Sequence, residues 1–349
     1  MSIDLSRREF AVLGALALAA RASGQCNADR LATQYKLGRQ VLSASGQQGQ
    51  YDSVSVDGPF VFTHEGRFYM TFIAFDGTGY QTGLASSSNL VDWKKEGAIL
   101  KRDPSSPIFR YNAALGWILR ENGLYSPGKL KMVDGHFVGV YQVYPSQGYE
   151  IGAGIIGLAR SKDLHHWEAG PPVLRPEDGA AWERGGLYKP CLLESEGTYY
   201  LFYNAKNQTD WPWREQTGVA TSKDLKKWTR FAGNPIIPNG PPGSMDEIFA
   251  SDPCVLYDGP RWAFFYYGLD AKGVARDLVA TGPNLTHASK CAGALIDVGP
   301  PGSVDSEYAH KPSVIAWKAD LYHFYCAVSQ VNGKESRGIS VARSRPWNA

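Results

Sequence analysis

One phrase is written five times along this 349-residue chain: a first residue that is an acid in four of the five copies, a proline seven positions later, an apolar run, a turn, and an aromatic run. Its clearest copy spans Met245 to Gly268, where Asp246 leads to Asp252-Pro253, the turn Asp258-Gly259-Pro260 and the stretch Trp262 to Tyr267. Runs of β-branched and aromatic residues flanking Asp/Gly/Pro punctuation predict a hairpin. Aligned on the proline, the copies read Asp52…Asp57-Gly58-Pro59, Arg120…Ser126-Pro127, Glu183…Lys189-Pro190, Asp246…Asp252-Pro253 and Asp305…His310-Lys311-Pro312. A second phrase follows in three copies, beginning at Ser88, Ser161 and Ser222 and ending at Trp93, Trp167 and Trp228. A strand-and-turn period of roughly 55 to 65 residues predicts an all-β, five-bladed β-propeller of four-stranded antiparallel blades. The last copy has no room for an outer strand, but Gly38-Arg39-Gln40-Val41-Leu42 matches the missing phrase. Residues near Gln40 to Ser43 are therefore predicted to complete the final blade and close the ring, which protects the strand edges.

The first 22 residues are set apart from this pattern. Arg7-Arg8 precede the apolar run Ala11 to Ala20 and the small-x-small triplet Ala20-Arg21-Ala22. A twin-arginine start, a short apolar core and such a cleavage site predict a Tat export signal at 1–22, with 23–349 as one catalytic domain in the periplasm or outside the cell. No apolar run is long enough to span a bilayer. With 36 basic and 34 acidic side chains the chain is near neutrality. It carries no basic field for nucleic acid or an anionic membrane. The five cysteines, Cys26, Cys191, Cys254, Cys291 and Cys326, lack metal spacing. They are expected to be small buried hydrophobes rather than a disulfide scaffold.

A feature present in every blade belongs to the scaffold, so the acid seven before the proline is expected to accept structural hydrogen bonds. What differs between copies is the dipeptide before the proline: Asp57-Gly58, Tyr125-Ser126, Tyr188-Lys189, Ser251-Asp252 and His310-Lys311. The first strand of a propeller blade lines the central channel, so these dipeptides are predicted to converge on one mouth. Asp57, Lys189, Asp252, His310 and Lys311 would then share a polar funnel. Two carboxyls across a sugar are the minimal equipment for glycoside hydrolysis, one kept ionised while a second group protonates the leaving oxygen. Trp117, Trp182, Trp211 and Trp213, in the predicted inter-blade segments, could stack on sugar rings. No Gly-x-Ser-x-Gly elbow supports serine chemistry. No ligand cluster calls for a metal, although a structural cation in the channel is compatible with the pattern.

The repeated strand starts, the Gly-x-Tyr-Tyr strand and the Ser-x-Asp-Leu-x-x-Trp phrase resemble the five-bladed propeller glycosidases of families 32, 43 and 130. The likeness covers nearly all of the chain after residue 22. It implies that Asp57 is the general base or nucleophile, and that Asp252, in Ser251-Asp252-Pro253, orients substrate and tunes the acid. Families 32 and 43 use a glutamate acid; here the last copy offers His310, which resembles family 117, with Glu307 three residues earlier. Glu183, in Trp182-Glu183-Arg184-Gly185-Gly186, is the other candidate acid, ranked between His310 and Glu307. Lys189, Lys311, Arg184, Trp182 and Asp246 complete the expected substrate-binding set.

The resulting expectation is a secreted glycoside hydrolase acting on an oligo- or polysaccharide by carboxylate acid–base chemistry, with no cofactor. Two alternatives stay open. One is a glycoside phosphorylase resembling family 130, with Lys189, Lys311 and Arg184 holding phosphate. The other is a non-catalytic sugar-binding propeller, since one fold hosts many functions. Sugar, linkage, stereochemical course and oligomeric state are not readable from the residues.

Overall fold

The computed structural model describes Cys26 and residues 28–347; the predicted export signal at 1–22 lies outside the described residues. Among the described residues, antiparallel pairing groups the strands into five consecutive sets. A short strand β1 (Tyr35–Lys36) comes first in the chain. The first set is β2 (Ser55–His64), β3 (Arg67–Phe75), β4 (Tyr80–Ser87) and β5 (Lys94–Leu100), paired in that order. The second is β6 (Ala114–Ile118), β8 (His136–Val143), β9 (Ile155–Ser161) and β10 (Glu168–Leu174), with β7 (Met132–Val133) paired to β8. The third is β11 (Gly186–Ser195), β12 (Thr198–Lys206), β13 (Glu215–Ser222) and β14 (Thr229–Arg230). The fourth is β15 (Phe249–Tyr257), β16 (Trp262–Leu269), β17 (Ala275–Asn284) and β18 (His287–Lys290). The fifth is β19 (Tyr308–Trp317), β20 (Asp320–Val331) and β21 (Lys334–Arg343), with β1 on its outer edge.

The second strands, such as β3 with RFYMTFIAF and β12 with TYYLFYNAK, are buried along most of their length. Both faces are covered by neighbouring sheets, which is why these strands read as continuous apolar runs rather than alternating ones. The sets meet at defined points. Val61 N–H donates to Ser313 Oγ at 3.0 Å, joining the first strands of the first and fifth sets. Buried Arg120 donates to Val61 O at 2.6 Å and to Val314 O at 2.8 Å across the same seam. The segment before β2 runs beside β21: Val41 N–H donates to Ile339 O at 2.7 Å and Ile339 N–H to Leu42 O at 2.8 Å.

Three expectations are corrected. Cys26 and Cys291 form a disulfide with Cα atoms 5.3 Å apart. It fastens the start of the described chain to the end of β18; only Cys191, Cys254 and Cys326 are free and buried. The second repeat begins earlier than its proline implies: its innermost strand is β6, and Arg120…Ser126-Pro127 lies beyond it, with Tyr125 exposed. No proline marks β6, so an alignment on prolines slides past it. The second phrase starts at Ser87 rather than Ser88 in its first copy: Ser87 Oγ accepts the N–H groups of Asn89 and Leu90, as Ser161 Oγ does for Asp163 and Leu164. In this turn Leu90, Leu164 and Leu225 take positive φ while their side chains are buried.

Candidate active site

Each prolyl strand start carries a local irregularity that aims a side chain inward. The ladder register shifts between Asp57 and Phe60, Tyr188 and Cys191, Ser251 and Cys254, and His310 and Ser313. At each shift the residue before the proline is left-handed: Gly58 at φ +52°, Lys189 at +47°, Asp252 at +55° and Lys311 at +69°. Glycine takes this conformation freely, whereas lysine and aspartate are strained there. An extra residue inserted into a strand re-aims its side chain, and such bulges gather at sites of function. Here Gly58, Lys189, Asp252, Lys311 and their four prolines line one cavity of about 40 Å³, with Gly116 and Trp117 supplied by the second set.

Asp57 and its surroundings form the charged half. Its Oδ2 accepts from Lys311 Nζ at 2.7 Å and Arg337 Nη1 at 3.2 Å, and its Oδ1 from Gly58 N–H at 2.6 Å. Burial alone would raise this carboxyl, but Lys311, Arg337 and Lys189 together hold it well below the usual range. Burial likewise opposes the charge on Lys311, and Asp57, Glu150 and Asp252 overcome it and raise the ammonium. Glu150 behaves like Asp57: burial pushes it up, yet Lys189 and Lys311 leave it lowered. Its Oε1 lies 3.5 Å from Lys189 Nζ.

The other half holds protons. Asp252 is pushed up to about 6 by burial, against the pull of Lys189 and Lys311. Glu215, the first residue of β13, is pushed up to about 7 by burial and then by Glu150. Trp213 Nε1 donates to Glu215 Oε1 at 2.9 Å and Asn204 Nδ2 to Oε2 at 3.2 Å. The fully buried Ser251 Oγ sits 2.8 Å from Glu215 Oε2 and 2.9 Å from Asp252 Oδ1. A hydroxyl has one proton. Both contacts are hydrogen bonds only when one of the two carboxyls carries a proton of its own.

Of the remaining predicted residues, His310 lies near this constellation, in contact with the rings of Tyr267 and Tyr308. Burial and then Lys311 keep its imidazole neutral, and its Nδ1 is 3.2 Å from Cys326 O, so Nδ1 bears the hydrogen. Glu307 accepts from Gln330 at 3.2 Å outside the cavity, and exposed Arg184 donates to Glu177 O at 2.7 Å. Glu183 and Asp246 belong to a repeated clamp. Glu183, Asp246 and Asp305 each accept from a tyrosine hydroxyl twenty positions later, Tyr203 at 2.6 Å, Tyr266 at 3.0 Å and Tyr325 at 2.9 Å. Each also pairs with a cation from the blade's outer strand: Arg230 at 2.8 Å, Lys290 at 2.5 Å and Lys36 at 2.6 Å. Asp52 pairs with Lys95 in the same way. Trp182 stacks on Tyr203 within this clamp, away from the cavity. Trp117 is buried against Phe60, whereas Trp211 is 61% exposed, edge-on to Trp213.

Glu150, Glu215 and Arg337 escape the sequence reading because they lie outside the prolyl dipeptides. One signal is present for Glu215: β4 reads YQTGLASS and β13 reads EQTGVATS, so an acid stands where the first copy has Tyr80. Among the described residues no group of three or more His, Cys, Asp or Glu side chains could hold a metal ion.

Residues 120–276 match the family described as Glycosyl hydrolases family 32 N-terminal domain. Levanase of Bacillus subtilis is 28% identical over 198 residues, 53% of this chain and 26% of the levanase. A 1,2-beta-oligomannan phosphorylase of Thermoanaerobacter is 25% identical over 180 residues, half of each chain. This chain thus spans between a quarter and half of the length of these curated relatives. The solved structure of a BT0996 RGII complex superposes with a TM-score of 0.78 at 26% identity, covering 92% of this chain and 94% of that one.

Proposed function

We propose that this chain, which is similar over part of its length to propeller-type glycoside hydrolases, cleaves a glycosidic bond of an oligo- or polysaccharide at the floor of a funnel ringed by five blades. The observation that carries the reading is the separation of four neighbouring carboxyls into two kinds. Asp57 and Glu150 are held charged by lysines, while Glu215 and Asp252 share a serine that requires a proton between them. Carboxyls whose environments drive their proton affinities apart are what acid–base cleavage of a glycoside needs. In this scheme the Glu215–Ser251–Asp252 group protonates the leaving oxygen. The ionised partner opposite it is Asp57, kept charged by Lys311 and Arg337, and it either attacks the anomeric carbon or takes the proton of the attacking water. Exposed Trp211, braced by Trp213, is the ring on which an outer sugar stacks.

The pairing of β1 and the Val41–Leu42 segment with β21 supports closure of the ring from the N-terminal side. The Cys26–Cys291 disulfide supports residence in an oxidising compartment, in keeping with an export signal at 1–22.

Purified protein is to be assayed against nitrophenyl glycosides and natural oligosaccharides, alongside Asp57→Asn and Glu215→Gln. Hydrolysis by the wild type and a loss of about 10³-fold or more in either variant, with sugar binding retained, is the expected result. Binding without turnover in the wild type, or turnover unchanged in both variants, defeats the proposal.

A further inference from the structure

The funnel floor holds a cation without a matching acceptor. Lys189 Nζ is buried, with 8% of the side chain exposed, and finds no hydrogen-bond partner. Its nearest carboxylate oxygen, on Glu150, stands 3.5 Å away. That spacing gives attraction without an N–H···O bond. Leaving a buried ammonium so poorly satisfied is costly. The chain also holds this lysine in a left-handed conformation and places it on the cavity wall. The other charges near the floor do not neutralise it. Lys311 and Arg337 are taken up by Asp57, and Arg337 additionally by Glu335 at 2.8 Å. Lys206 Nζ donates to the backbone oxygen of Glu150 at 2.9 Å. Of these four cations, Lys189 is the one whose ammonium finds no hydrogen-bond acceptor among the described residues.

We propose that Lys189, with Lys311 beside it in the same cavity, seats an oxyanion, so that this funnel takes an acidic sugar carrying a carboxylate or a free phosphate next to the sugar. The carboxylate and the phosphate present the same chemistry to an ammonium: oxygens that accept charge-assisted hydrogen bonds from hydrogens otherwise left without an acceptor. The inference names the substrate class of the site proposed above and rests on that reading for its catalytic meaning, but the seat itself is testable by binding alone.

Calorimetric titrations of the intact protein with glucuronate, galacturonate, glucose, galactose and inorganic phosphate provide the test, repeated with Lys189→Met and Lys189→Arg. A uronate binding about tenfold or more tighter than its neutral counterpart, with the preference lost in Lys189→Met and kept in Lys189→Arg, supports the proposal and identifies the sugar as the anion's source. Phosphate binding with the same dependence on Lys189, and no uronate preference, supports a free anion instead. Equal affinity of the wild type for acid and neutral sugars without phosphate binding overturns the proposal, as does an anion preference that survives in Lys189→Met. A wild type without anion preference overturns the proposal whether or not Lys189→Met folds, and Lys189→Arg, which keeps the charge, reports on folding at this position. Lys189-dependent anion binding in a protein that hydrolyses no glycoside refutes the hydrolase reading and leaves the seat standing.

Discussion

Lys311 Nζ and Asp57 Oδ2 lie 2.7 Å apart although 254 positions separate them in the chain. The contact joins the last set of strands to the first beside the cavity that Lys311 lines, and both partners are buried. Removing Lys311 leaves buried Asp57 with Arg337 at 3.2 Å as its remaining ion-pair partner. Lys311→Met is therefore expected to cost about 3 kcal/mol of stability, the lower end for a broken buried pair, and to abolish turnover. Urea denaturation of the variant checks the first figure and initial rates the second; an unchanged midpoint contradicts the buried pair.

The proton-bearing half sets an upper limit to the active pH range. The acid must be protonated, so activity is expected to fall as pH rises through about 6 to 7, where Asp252 and Glu215 lose their protons. Asp57 stays ionised below the usual carboxylate range, so the acidic limb of kcat/KM lies lower than that of an ordinary aspartate. Ser251→Ala is predicted to move the alkaline limb without removing either carboxyl. A pH–rate profile identical to wild type contradicts the shared proton.

Stability follows the same groups with opposite signs. Asp252 binds its proton more tightly folded than unfolded, so its contribution is fully present below about pH 4 and is lost as pH rises through about 6. A rise from the ordinary aspartate range to about 6 corresponds to about 3 kcal/mol. Asp57 works the other way, contributing above the ordinary carboxylate range and losing that contribution as pH falls. Asp252→Asn should flatten the stability–pH curve between about 4 and 6, measured by denaturation at fixed pH steps.

The repeated acid–tyrosine–cation clamps are scaffold. Tyr266→Phe removes the hydroxyl that Asp246 accepts at 3.0 Å and is expected to cost about 1–2 kcal/mol while leaving kcat within about twofold. Denaturation midpoints and turnover, measured on the same preparation, separate the two effects. A large fall in kcat would place Asp246 in the chemistry after all.

The Cys26–Cys291 disulfide closes most of the chain into a loop, with 265 positions between its ends. Chain-entropy reasoning gives about 5–6 kcal/mol for so long a loop. Cys291→Ser should lower the thermal midpoint and make it insensitive to reductant. A wild-type midpoint that does not respond to reductant contradicts the bond.

The sets of strands can be read from the sequence because each hairpin carries its own turn residues and each prolyl start its own punctuation. The convergence of Asp57, Lys189, Asp252 and Lys311 follows from treating the variable dipeptide as the inward one, since the same bulge recurs at four of the strands. The second set escapes this reasoning because Gly116 and Trp117 bend without a proline. Glu150 and Glu215 stay hidden because one lies in a loop and the other opens a third strand, positions that no repeat marks as inward. The disulfide is not legible because its partners are unrelated in the repeat and their approach depends on where the first described residues pass β18.

The left-handed residue before each proline divides the work of a strand between two neighbours. The proline and the apolar run after it hold the sheet, while the bulged residue contributes little to the ladder and lines the shared cavity. Four such positions act as sockets around one opening. Exchanging an aspartate, lysine or glycine among them alters the charge presented to a ligand and also, as at Lys311, a buried pair that ties two sets of strands together, so a new specificity at one socket requires a matching change in its partner.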